Sequence, residues 1–124
     1  MFEQEACFCP AYLKLLQYCF SKLEAHRTWI CQRIAEYNIR FNRIHDAFEY
    51  LDGQLSLVPF KDSPDLQAIY FQLAVQLWSQ EQRLTVKQRA ARKVTNAFDG
   101  YLQAGGDDPQ IVSLYFKFCT ETEI

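Results

Sequence analysis

The chain has 124 residues, 49% of them apolar and 15% aromatic, with a formal net charge of −2. That length suits a single domain over residues 1–124, and that apolar content can fill a sizeable core. A net charge so close to zero gives no general attraction to nucleic acid or to a membrane surface, and no apolar run approaches the ~18 residues of a membrane span.

The N-terminus, Met1-Phe2-Glu3-Gln4-Glu5, lacks the basic start and apolar run of a secretory signal. The five cysteines, Cys7, Cys9, Cys19, Cys31 and Cys119, are odd in number and form no CxxC pair. Together these features predict a cytoplasmic protein with free thiols.

Pro10 suits the first turn of a helix, where its missing N–H is not needed. From Leu13 to Leu55 the apolar residues step by three and four through Leu16, Phe20, Leu23, Ile30, Ile34, Tyr37, Phe41, Ile44, Phe48 and Leu51, with Arg27 as the one interruption. A 3.5-residue repeat of that length predicts one long helix A, about residues 10–56, packed along a partner helix as in a coiled coil. Pro59 ends it, because the residue before a proline avoids the α region.

Ser63-Pro64-Asp65 then starts helix B by cap, first-turn proline and dipole complement. Its apolar positions run from Leu66 through Leu73, Leu84 and Val94 to Tyr101, and Gly105-Gly106 supplies the stop near residue 104. Asp108-Pro109 begins a short helix C, Gln110 to about Thr120. The expected fold is therefore all-α: a long antiparallel hairpin of residues 10–56 and 64–104 plus a short C-terminal helix.

Two helices bury one seam each, and Tyr12, Leu15, Trp29, Ile69, Phe71, Val75 and Trp78 fall off that seam. Either two hairpins dimerise into a four-helix bundle, or helix A breaks near residues 26–28 and helix B near 80–85 and the chain folds back. The unbroken phase of the repeat favours long helices and a homodimer. The large off-seam residues Trp29, Ile69, Phe71, Val75 and Trp78 are the candidate contacts for a partner helix.

Other chemistries compete with partner binding. Glu49 and Asp52 share a helix face and could hold Mg²⁺, as the ExxE and ExxD pairs of MazG-type pyrophosphohydrolases do, although the matching ExxE is missing here. Arg33 and Arg40 on helix A, with Lys87 and Arg92 on helix B, would form one polyanion-binding patch if the hairpin turned about residue 60 and set position 33 beside 87. Histidines and cysteines show no metal-ligand spacing. No nucleophile–base constellation and no phosphate-binding glycine loop is present. No cofactor and no catalytic residue is expected; the partner is a protein or a second copy, nucleic acid ranks below, and no membrane is involved.

Asp65-Leu66-Gln67-Ala68-Ile69-Tyr70-Phe71-Gln72-Leu73 resembles the N-L-x-x-L-Y-x-Y-M type segment of the flagellar export chaperone (FliS) family. Ala47–Leu55 resembles the helix that precedes it there, and Cys9-Pro10 stands where the family has a Ser/Thr-Pro start. The order covers roughly residues 9–102. Departures are Leu16-Gln17-Tyr18-Cys19 in place of an LYDG-like segment, no turn signal near Ala35-Glu36, and a shorter connection before Leu66. The resemblance implies a monomeric antiparallel bundle that binds amphipathic helices of a secreted client in apolar grooves.

Overall fold

The computed structural model describes residues 8–57 and 60–122. The residues Cys7, Pro59 and Met1 to Glu5, on which some of these expectations rest, lie outside that range. Among the described residues there are six α-helices and no strand: α1 (Pro10–Lys22), α2 (Arg27–Arg40), α3 (Ile44–Gln54), α4 (Pro64–Gln80), α5 (Leu84–Gln103) and α6 (Pro109–Thr122). The class is all-α, as expected. No helix is long and apolar enough to cross a membrane. The chain divides into two compact units, residues 1–50 and 51–124.

Helix A of the sequence reading is three helices, and helix B is two. The first break spans Leu23 to His26, where Glu24–His26 forms a 3-10 turn. Its cause is Arg27, the residue that interrupts the apolar repeat. The Arg27 Nε donates to the Phe20 carbonyl at 2.8 Å and Nη2 to the Ser21 carbonyl at 3.4 Å, so one guanidinium caps the end of α1.

The second break is at Asn42, whose φ of 60° lies in the left-handed region that asparagine tolerates better than most residues. The Asn42 N–H donates to the Ile39 carbonyl at 2.9 Å and the Arg43 N–H to the Asn38 carbonyl at 2.8 Å. This paired closure is the Schellman arrangement. The third break, residues 81–83, has extended backbone at Glu81 and Arg83. It is held by the Glu81 carboxylate, which accepts from the Arg83 backbone N–H at 3.0 Å and from Arg83 Nε at 2.9 Å. The first and third breaks fall beside the positions of the fold-back alternative.

Helix starts follow the sequence signals closely. Pro10 and Pro64 occupy first turns, and the Ser63 hydroxyl accepts from the Leu66 N–H at 3.3 Å. Asp108 Oδ1 accepts from the Gln110 N–H at 2.9 Å at the start of α6. At the end of α5, Gly105 has a φ of 90°, and Gly106 lies so close under the Tyr101 ring that a Cβ there would sit 2.2 Å from it.

In the first unit α1 and α2 pack as an antiparallel pair. Leu16, Ile30 and Ile34 form its centre, with Leu13, Phe20 and Tyr50 around them. In the second unit α4 and α5 are antiparallel about the turn at 81–83: Phe71 meets Phe98 with ring centres 5.5 Å apart, and Lys87 lies 4.7 Å over the Trp78 ring. α6 closes this pair. Tyr115 stacks on Phe98 at 4.1 Å, and Phe118 meets Trp78 edge-on at 4.8 Å. The expected register, with helix B turning about residue 60 to run along helix A, is thus replaced for α5 by pairing with α4.

Candidate functional site

The chemistry-bearing surface of the first unit lies along α1 and α2. Tyr12 of α1 meets Tyr37 of α2 at 4.8 Å, and Arg27 lies over the Phe20 ring at 5.4 Å. These two contacts set the antiparallel register, and they bring position 15 level with 33 and position 19 level with 29. On α2, positions 29, 33, 36 and 40 fall on one helix face, since they step by three and four. Positions 30, 31, 34, 35 and 38 are buried on the others.

That face opens a cleft of about 360 Å³ lined by Tyr12, Arg33, Glu36, Tyr37 and Arg40. Arg33 lies over the Trp29 ring at 5.3 Å and touches Glu36 at 3.4 Å. Glu36 also accepts from Gln32 Nε2 at 3.1 Å. Arg40 lies over the Phe41 ring at 5.5 Å and makes no ion pair among the described residues. The Tyr37 hydroxyl accepts from the Cys9 backbone N–H at 2.9 Å, which ties the start of α1 to α2 and leaves its own proton to donate elsewhere. Trp29, which lies against Arg33 of the cleft, is 60% exposed, and Leu15, 54%, and Tyr18, 62%, are exposed on α1.

The sequence candidates for partner binding are distributed differently from one another. Trp29 is on the surface of the first unit. Phe71 and Trp78 are buried in the second, because α6 supplies the helix that the off-seam face of α4 requires. Ile69 and Val75 are half-buried on the same helix. Of the basic candidates, Arg33 and Arg40 share the α2 cleft, whereas Lys87 covers the Trp78 ring and Arg92 is exposed on α5.

Glu49 and Asp52 are both exposed on α3. Asp52 accepts a hydrogen bond from the Tyr70 hydroxyl at 2.5 Å. Burial, and then this carboxylate, push the Tyr70 phenol well above its usual range. Among the described residues no group of three or more histidine, cysteine or carboxylate side chains gathers as a metal site would need. Cys31 is fully buried, and burial raises its thiol to about 11 against a weaker opposing hydrogen bond from Tyr50. Such a thiol is a small hydrophobe rather than a nucleophile.

Tyr12 and Tyr37 were legible in the sequence only as an off-seam and a seam residue. The aromatic set Phe8, Tyr12, Tyr37 and Phe41 was the available signal for their meeting. No protein-family model, no curated protein and no solved structure matches this chain.

Proposed function

We propose that this chain is a non-catalytic helical binding module of the export-chaperone kind, which takes an amphipathic helix of a client protein across its α1–α2 face. One observation carries this reading: Leu15, Tyr18 and Trp29 are more than half exposed on a single helical pair. Large apolar side chains exposed on one helical pair are a candidate contact surface. Tryptophan in particular contributes disproportionately where helices are recognised. The resemblance of residues 9–102 to export chaperones leads in the same direction.

In this reading the chain works as a fold-back monomer. The breaks at 23–26, 41–43 and 81–83 let one chain supply its own helix neighbours, and α6 in place of a second copy covers Phe71 and Trp78.

The test uses the two tryptophans. A Trp78→Phe variant keeps an aromatic ring against Phe118 and leaves Trp29 as the sole indole. Titration with a synthetic amphipathic helix bearing leucines along one face should shift Trp29 emission to the blue and saturate. Emission that stays unchanged to the solubility limit of the peptide would refute the proposal.

A further inference from the structure

We propose, on the footing of the helix-binding function above, that the helix received by the α1–α2 face is acidic. It presents two carboxylates about seven residues apart, which pair with Arg33 and Arg40 while its apolar side chains cover Trp29 and Leu15.

The charges on the pair are one-sided. Across α1 and α2 the cations are Lys14, Lys22, Arg27, Arg33 and Arg40, and the only acid within either helix is Glu36. Arg27 is occupied with the end of α1. Lys22 lies over the Tyr18 ring, and neither it nor Lys14 lines the cleft; Arg33 and Arg40 do, seven residues apart on one helix, or ~10 Å at ~1.5 Å per residue. Two acids seven residues apart on a second helix have the same spacing.

The form of these cations also matters. Each guanidinium lies over an aromatic ring, Trp29 for Arg33 and Phe41 for Arg40. The ring attracts the cation and displaces some of its water. An arginine so held meets a carboxylate through two parallel hydrogen bonds, which a lysine cannot do. Glu36 does not neutralise the pair: it is shared between Gln32 and Arg33, its contact to Arg33 is long at 3.4 Å, and Arg40 has no ion pair among the described residues. The cleft between the two arginines has room for side chains from outside.

A nucleic-acid backbone fits the same surface less well. Its continuous phosphates would cross the Glu36 carboxylate, which lies in the cleft between the two arginines, whereas the exposed Leu15 and Trp29 would gain nothing. A helix with discrete acids beside an apolar face uses all of these features.

The experiment compares three 18-residue peptides with one identical leucine face. At two flanking positions seven residues apart they carry glutamate, glutamine or lysine. Binding is read from Trp29 emission in the Trp78→Phe background at low salt, where such pairs are least screened. The glutamate peptide should bind about tenfold more tightly than the glutamine peptide, as two partly desolvated pairs allow, and the lysine peptide least. In an Arg33→Glu, Arg40→Glu double variant the order should invert. Both positions are exposed, and circular dichroism checks that helicity is kept. Equal affinity for all three peptides would overturn the acidic preference and leave helix binding standing. No binding by any peptide would overturn both. Binding of a single-stranded 20-nucleotide DNA through Arg33 and Arg40, without peptide binding, would overturn both in favour of a polyanion partner.

Discussion

Arg27→Ala tests why the long apolar repeat does not make a long helix. The substitution removes the bond from Nε to the Phe20 carbonyl at 2.8 Å and the longer one from Nη2 to the Ser21 carbonyl at 3.4 Å. It also removes the contact of the guanidinium with the Phe20 ring at 5.4 Å. Hydrogen bonds from a charged donor contribute roughly 1.5–3 kcal/mol. Arg27 is half-buried and one bond is long, so the lower end applies, and a partly exposed cation–ring contact adds about 0.5 kcal/mol. The expected cost is about 2 kcal/mol, or a melting temperature lower by ~7 °C for a chain of this size. Arg27→Lys keeps the charge without the fork and should fall between. Thermal unfolding followed by circular dichroism measures both. An alanine variant that melts within about 1 °C of the parent would refute the capping role.

Three further outcomes are expected. Trp78→Ala should cost about 3 kcal/mol in denaturant unfolding, because the indole is 8% exposed and Phe118 packs edge-on against it; a surface contact residue would lose well under 1 kcal/mol. Gly106→Ala places a Cβ 2.2 Å from the Tyr101 ring, whose hydroxyl accepts from the Asp108 N–H at 2.8 Å, so the end of α5 must shift at a cost of about 1–3 kcal/mol; an alanine variant of undiminished stability would contradict that close approach. The Arg83 hydrogen bonds hold the Glu81 carboxyl near 2 against an ordinary 4.5. A depressed acid stabilises the folded chain above its unfolded value, and this contribution is lost as pH falls from about 4.5 through about 2. Side-chain NMR titration should show Glu81 near the lower value, and Arg83→Gln should return it towards the ordinary one.

The helix starts were legible because their signals are local. Pro10, Ser63-Pro64 and Asp108-Pro109 each act within one turn, and the Gly105 stop needs only its own φ. The breaks inside the repeat were not. Arg27 reads as a mere gap in a heptad count, yet its side chain reaches back seven residues to the Phe20 carbonyl. Asn42 is one left-handed residue between two apolar positions of unbroken phase. The 81–83 turn uses neither glycine nor proline, and a carboxylate bound to the next-but-one residue holds it.

These breaks explain what was visible of the candidate surface. Trp29, Arg33 and Arg40 stand out by type, and their spacing places them on one face. Tyr12 joins them only once α1 turns back along α2, which a continuous helix forbids. The same error of continuity made Phe71 and Trp78 look unpartnered, when α6 of the same chain covers them.

Capture of a helix by α1 and α2 is tested most directly by amide NMR mapping of the labelled full chain during titration with the glutamate peptide. Shifts should concentrate at Leu15, Trp29, Arg33 and Arg40, with α4 to α6 little changed. Shifts concentrated instead on α5 or α6, with α1 and α2 unmoved, would contradict it.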